Sequence, residues 1–234
     1  MQLFYYPEIN ETTTQFTLDK TESKHIVKVL RKTAGDILHI TNGNGWLFTA
    51  EITIPNLNKC TVKIISKTLQ AKRDYNLHLA VAPTKMNDRY EWFLEKATEI
   101  GIESITPIIC DHSERKTIKP ERFDRILQSA MKQSLSCYLP KLNDAVNLKD
   151  FLKQDFQGDL FIAHCEETDK KSLKQALKQK TDVTILIGPE GDFSAKEIEQ
   201  ALESNFIPVT LGETRLRTET AAIVACHSVA FTNE

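Results

Sequence analysis

The chain of 234 residues has no long apolar run: nothing in it approaches the ~20 residues needed to cross a bilayer. Its opening MQLFYYPEIN has neither the basic nor the apolar region of a secretion signal, so a cytoplasmic protein is expected. It also has no cysteine framework. The five cysteines (Cys60, Cys110, Cys137, Cys165, Cys226) are odd in number, widely spread and without a C-x-x-C pair, which implies reduced, mostly packed thiols rather than disulfides or a zinc cluster. The six histidines show no H-E-x-x-H or comparable spacing, so no metal is expected. No G-x-G-x-x-G follows the first strand, no G-x-x-x-x-G-K-[ST] occurs, and no G-x-S-x-G is present. Those absences remove a Rossmann dinucleotide site, a P-loop and a hydrolase nucleophile elbow. Nor is there an excess of one charge. The net charge of −2 gives no global signal for nucleic acid.

What is present is ordinary for a soluble globular protein: 41% hydrophobic and 26% charged residues, in a chain long enough for one large domain or two modest ones. Charge is nevertheless clustered locally. Lys20, Lys24, His25, Lys28, Arg31 and Lys32 crowd one stretch, and Arg115, Lys116, Lys119, Arg122 and Arg125 another. On charge alone, two solvated helix faces are the simpler account; two phosphate-contacting patches are the functional one.

Two rhythms divide the chain. Residues 1–70 read as short strands, LFYY (3–6), QFTL (15–18), ILHIT (37–41), WLFTAEITI (46–54) and CTVKIISKTL (60–69), punctuated by Asn42-Gly43-Asn44-Gly45 and Pro55-Asn56. One helix interrupts them, with Thr21 as N-cap, Ile26, Val27 and Leu30 on the apolar face, and Lys24, Lys28 and Arg31 opposite. A small β-barrel with one basic helix is predicted. After a polar break at 69–75, strands alternate with helices: NLHLAVAP, DRYEWFLEKATEIG closed by Gly101, SITPIIC, PERFDRILQSAMKQSLS opened by Pro120, LFIAHC, SLKQALKQ, VTILIG, SAKEIEQALES, PVTLG and a final TAAIVACHSVAF. That alternation implies a parallel sheet with helices on both faces.

In such a sheet, ligands bind at the carboxyl ends of the strands. Three ends stand out: Ala163-His164-Cys165-Glu166-Glu167, the stretch ILIGPEGDFS at 185–194, and LGETRLRTETA at 211–221. Glycines at 188, 191 and 212 let backbone approach a ligand, and Pro189 stiffens its turn. Thr218 suits an N-cap and Glu219 the positive end of the helix that follows. Arg217 is a cation at the end of a helix where cations are unfavourable, which suggests an anionic partner. Plainer roles exist for several others: packing for His164 and Cys165, barrel covering for His25, a salt-bridged face for Glu95, Lys96 and Glu99, and core positions for Trp46 and Trp92.

GPEGDFS followed about twenty residues later by LGETRLRTETA resembles the carboxy-terminal signature of the ribosomal RNA small subunit methyltransferase E family, SPOUT-class enzymes that methylate N3 of a uridine in 16S rRNA. HIVKVLRKTAGD at 25–36 resembles the family's amino-terminal RNA-binding segment, EKATEIGIESITPIICDHSERK at 95–116 its second-domain opening, and QSLSCYLP at 133–140, more loosely, its central motif. The resemblance implies a PUA-like RNA-binding β-barrel over 1–70 and a SPOUT α/β methyltransferase domain over 75–234, its parallel sheet ending in a trefoil knot, a rare exception to unknotted chains. S-adenosylmethionine would lie bent in the knot, held by His164, by Ile187, Gly188 and Gly191, and by Leu211, Gly212, Leu216 and Thr218. Lys24, His25, Lys28, Arg31, Arg115 and Lys116 would contact RNA. A homodimer acting on 16S rRNA or the small subunit is implied.

For the chemistry, Arg217 is the first candidate to stabilise a uridine anion or hold a phosphate, and Glu219 the candidate base; Glu190 and Asp192 would shape the loop. The family often carries glycine where this chain has Asp192, arginine where it has Ser136, and glutamate where it has Lys132, so the departures bear on RNA contacts more than on activity. The alternatives are a SPOUT enzyme with another rRNA or tRNA target, and a non-catalytic RNA-binding module.

Overall fold

The computed structural model describes residues 1–167 and 169–234. It forms two compact units, one of Met1–Lys72 with Met131–Leu139, the other of Arg73–Ala130 with Pro140–Glu234.

The first unit contains β1 (Leu3–Tyr5), β2 (Gln15–Thr17), α1 (Lys20–Lys24), β3 (Ile37–Thr41), β4 (Trp46–Ile54) and β5 (Thr61–Leu69). The strands form a five-stranded sheet in the order β1-β3-β4-β5-β2, with β1 and β3 parallel and the other pairs antiparallel. Alternation along β4 buries Phe48, Ala50 and Ile52 against Phe4, Leu38 and Val62. Register shifts after Thr49 and Ile52 interrupt the β4–β5 ladder, the kind of irregularity that bends and twists a strand.

The N-cap of α1 is Asp19, not Thr21: Asp19 Oδ1 accepts from the amides of Thr21 at 2.7 Å and Glu22 at 2.9 Å. Aspartate outcompetes threonine here because its position two residues earlier lets it reach both orphan amides. The helix then widens into a π turn, His25–Val29. Ile26 is buried while Lys24, Lys28 and Arg31 are exposed. Residues 131–139 complete the unit. Gly45 N donates to Cys137 O (2.8 Å), Cys137 N to Gln70 Oε1 (2.8 Å), and Ser136 Oγ to Tyr138 O (3.2 Å).

The second unit runs β6 (Leu77–Val81), α2 (Asn87–Ile100), β7 (Ser104–Ile109), α3 (Pro120–Gln133), β8 (Lys141–Leu142), β9 (Val146–Asn147), α4 (Leu148–Phe151), β10 (Asp159–Ala163), β11 (Lys171–Ser172), α5 (Leu173–Ala176), β12 (Val183–Ile187), α6 (Ala195–Glu203), β13 (Ile207–Thr210) and α7 (Thr218–Thr232). The sheet order is β11-β13-β10-β12-β6-β7-β8, with β9 also on β7, and every pair is parallel. The helix expected from SLKQALKQ shrinks to the single turn of α5, where Ser172 and Gln175 form a capping box over only four residues.

All five residues of β12 are buried, as an unbroken Val-Thr-Ile-Leu-Ile run at the centre of a parallel sheet requires. Its neighbours are level with it. Ile187 pairs with Ala163 of β10 and Val81 of β6, and Ala163 pairs with Val209 of β13, so four strands end together. Helix α7 buries Ala222, Ala225, Cys226 and Val229 and packs on α2, β6 and β12. Helix α2 buries Tyr90, Phe93, Leu94 and Ala97 and stops at Gly101, φ +107. Trp92 lies off that stripe and is 45% exposed, against the expectation of a core position. Glu95 and Glu99 do form the expected salt-bridged face, at 2.6 and 2.9 Å from Lys96 Nζ. Among the described residues, no helix is long and apolar enough to cross a membrane.

Candidate active site

Because four strands end at one level, the segments that follow them emerge side by side. The loop after β10 is curled by Lys170, whose Nζ donates to the carbonyls of His164 (2.7 Å) and Glu166 (2.6 Å). His164 is buried, and neither of its ring nitrogens has a hydrogen-bond partner among the described residues. Burial, then the Lys170 charge, holds its pKa below the ordinary histidine value, so the imidazole is neutral at pH 7 and can donate or accept.

The loop after β12 is held from every side. Glu190 Oε1 accepts from Lys85 N (2.9 Å), and Asp192 Oδ2 from Cys165 N (2.7 Å). His112 Nδ1 donates to the carbonyls of Gly191 (3.0 Å) and Asp192 (3.1 Å). Asp192 sits at φ +63, which explains both why glycine suits this position and why aspartate, which tolerates the left-handed region, can replace it. Ser194 and Glu197 form a capping box that starts α6, and Glu197 also accepts from Asp111 N at 2.9 Å.

Between Glu213 and Leu216, the loop after β13 has, among the described residues, only a long bond from Arg215 Nη2 to Glu190 O at 3.5 Å. Arg217, not Thr218, is the N-cap residue of α7, and it makes no side-chain capping bond. Thr218 Oγ1 instead donates to Gly188 O at 3.0 Å, joining the stretches 185–194 and 211–221 directly. The hydroxyl crosses because Gly188 O lies at the end of β12, beside the start of α7, and would otherwise be a buried acceptor without a donor.

Two cavities of about 440 and 280 Å³ lie among these loops and share Ala163, Cys165, Arg215, Leu216 and Ala221. Their sizes suit a small ligand. His164, Leu211, Gly212 and Leu216 line the larger; Ile187, Gly188, Leu216 and Thr218 line the smaller. Gly191 lines neither: a Cβ there would stand 3.0 Å from His112 Cβ, so its constraint is internal packing. Gly212, at φ +151, has open space where its Cβ would be. An open, wider pocket of about 670 Å³ adjoins the smaller cavity through Arg215, Leu216 and Arg217 and is lined further by Arg89, Trp92 and Glu219. Glu219 is buried, its Oε1 is 3.9 Å from Arg89 Nε, and its Oε2 has no hydrogen-bond partner among the described residues.

The remaining expected site residues are distributed differently. Lys24, His25, Lys28 and Arg31 lie in the first unit, with His25 3.7 Å from Glu22. Arg115 is used within the second unit, where Nε donates to Thr84 O (3.1 Å) and Nη2 to Lys85 O (2.7 Å), while Lys116 is exposed. Lys170 and Arg89 were not among the expected site residues, and Trp92 was expected in the core. For Trp92 a signal existed, because it breaks the stripe formed by Tyr90, Phe93, Leu94 and Ala97.

The fold and cleft define an α/β protein that binds a small ligand at the ends of parallel strands and carries a small β-unit on the same chain. A family model for an RNA methyltransferase domain matches residues 71–230, and one for an RNA methyltransferase PUA domain matches residues 18–65. The ribosomal RNA small subunit methyltransferase E of Buchnera aphidicola (strain APS) is 32% identical over 225 residues, covering 90% of this chain and 86% of that one. The solved enzyme of the same name from Neisseria gonorrhoeae, bound to S-adenosyl methionine, is 26% identical with a TM-score of 0.88, covering 100% of this chain and 98% of that one. An rRNA-methyltransferase candidate from Porphyromonas gingivalis is 39% identical with a TM-score of 0.92, over 100% and 98% of the two chains. The chain belongs to the ribosomal RNA small subunit methyltransferase E family.

Proposed function

We propose that the protein methylates N3 of a uridine in the 16S rRNA of the small ribosomal subunit, using S-adenosylmethionine, and works as a homodimer. The observation that carries this reading is that Arg217 borders both the smaller cavity at the strand ends and the wider pocket beside it, so a donor and an acceptor held in the two would meet at one side chain. Support for the donor comes from the S-adenosyl methionine bound by the Neisseria gonorrhoeae relative.

The residues present fit such a donor. His164 is buried with ring nitrogens unpartnered among the described residues, and Gly212 leaves room for a ligand where a side chain would project. Ile187, Gly188, Leu211 and Leu216 would bind through backbone and apolar contact. Thr218 would act through Gly188, since its hydroxyl is already bonded there. When bound, S-adenosylmethionine supplies an electrophilic methyl group. The Glu219 carboxylate takes the N3 proton, and Arg217 offsets the negative charge that develops on the uracil. Alignment of the two partners in adjoining cavities contributes several kcal/mol, about 7–11 in the best intramolecular cases.

The PUA-like domain, 1–70, would present RNA through Lys24, His25, Lys28 and Arg31, with Lys116 adding a contact from the methyltransferase domain, 75–234, whose last segment would be threaded as a knot. The test is incubation of small subunits lacking the mark with labelled cofactor, followed by mass mapping. N3-methyluridine at one position of 16S rRNA is expected; label on another nucleotide, or on tRNA alone, contradicts the reading.

A further inference from the structure

We infer that Lys170 and Asp192 act together as positioning residues for the methyl donor, by gripping one peptide bond, His164–Cys165, from its two ends. The inference rests on the functional reading above and deepens it by assigning two residues that set the shape of the donor's site. The carbonyl of that peptide accepts from Lys170 Nζ at 2.7 Å, and its N–H donates to Asp192 Oδ2 at 2.7 Å. A cation therefore stands at the negative end of the peptide dipole and an anion at the positive end, each in a charge-assisted hydrogen bond. Turning the peptide over would set its carbonyl against the carboxylate and its N–H against the ammonium, so one orientation is enforced.

The two charges reach this peptide from different loops. Lys170 lies in the loop after β10, where Nζ also donates to Glu166 O at 2.6 Å and curls the segment around itself. Asp192 belongs to the loop after β12, and its other oxygen accepts from Phe193 N at 2.9 Å, so both oxygens are committed. Both side chains are half-buried, which keeps these bonds partly out of water and strengthens them. On its upstream side the segment is already fixed by the sheet, since Ala163 pairs with Ile187 and Val209. The clamp holds the downstream side.

The clamped segment is a wall of the site. Ala163 and Cys165 line both cavities at the strand ends, while Lys170 lines the larger and Asp192 the smaller. A peptide held in one orientation keeps the His164 and Cys165 side chains in place before the donor arrives. A site formed in advance binds more tightly, because the cost of ordering it is not taken from the binding free energy. Each charge secures the same peptide, so losing either one frees it, and the two residues are coupled rather than independent.

Calorimetry with S-adenosylmethionine gives the test. Lys170→Met and Asp192→Asn each weaken binding about tenfold, the lower end for a hydrogen bond to a charged group. Asparagine tolerates the φ of +63 at this position, so its effect is not backbone strain. The double variant weakens binding about 10- to 20-fold, not the roughly 100-fold of two independent losses. Lys170→Arg, which can still donate to both carbonyls, stays within about threefold of wild type. With small subunits as substrate, the loss in Lys170→Met falls on KM for the donor, with kcat changed by under about threefold. Without cofactor, NMR shows the Cys165 amide of Lys170→Met exchanging about tenfold faster, although its own acceptor, Asp192, is intact. A double variant at about 100-fold, wild-type affinity in Lys170→Met, or an equal loss in Lys170→Arg overturns the inference. So does an unchanged Cys165 amide, or a loss confined to kcat. Absence of S-adenosylmethionine binding by the wild type counts against the functional reading instead, because amide exchange tests the clamp without it.

Discussion

The loops after β12 and β13 follow two strands of one sheet that flank β10, and they border one cavity in common, yet they are built in opposite ways. From Gly188 to Ser194 almost every polar group is engaged: Glu190 by Lys85 N, Asp192 by Cys165 N, the Gly191 carbonyl by His112, and Ser194 by its capping box with Glu197. From Glu213 to Arg217 the backbone carries two exposed arginines and, apart from the 3.5 Å bond of Arg215 and the helix bond that Arg217 O accepts from Ala221 N, no comparable tether among the described residues. One wall of the cleft is completed by the protein itself. The other leaves its charged side chains exposed, and the bonds of Thr218 to Gly188 O and of Arg215 to Glu190 O tie it to the fixed wall.

The largest effect is expected on the open wall. Arg217→Ala should lower kcat about 100- to 1,000-fold, the scale of losing one preorganised group that stabilises developing charge. Single-turnover assays with labelled cofactor would show it, with S-adenosylmethionine affinity within about twofold of wild type. Loss of affinity with unchanged chemistry would move Arg217 to the cofactor.

Next in size is the release of the fixed wall. Asp192→Ala keeps a side chain at φ +63 and removes a charged hydrogen bond, so denaturant unfolding should report a loss of about 2–4 kcal/mol. Asp192→Gly loses the same bond but relieves the left-handed strain, about 1–2 kcal/mol, and should be the milder variant. If the two variants were equally stable, the conformational part of this account would be wrong.

The smallest expected effect concerns pH. Burial holds the folded pKa of His164 below its ordinary value of 6.5. As pH drops through 6.5 the unfolded imidazole takes up a proton while the folded one does not, so stability present above 6.5 is lost progressively below it. His164→Asn should flatten that part of a Tm-against-pH curve between pH 7 and 5.

Much of this architecture was legible in the chain. The β12 run, the Gly101 stop of α2 and the alternation after residue 75 each follow from local pattern, and the strand-end rule led to all three loops. What stayed hidden was set by partners distant in sequence. Thr218 has the same local signature whether its hydroxyl caps its own helix or crosses to Gly188, thirty residues away. Arg115 looks like a phosphate ligand until Thr84 O and Lys85 O take its guanidinium. Asp192 was identified as a departure from the family pattern, but only its backbone angle explains why the exchange is tolerated. Trp92 differs from these, because helical periodicity alone takes it off the buried face.

The central claim is that one wall of the cleft is finished by the protein and the other by its ligand. Amide hydrogen exchange, followed with and without S-adenosylmethionine, tests it most directly. The account predicts that residues 188–194 are protected in both states, while residues 211–217 exchange rapidly alone and become protected when the cofactor is added. Equal protection of the two segments without cofactor, or no change at 211–217 on adding it, would contradict the account.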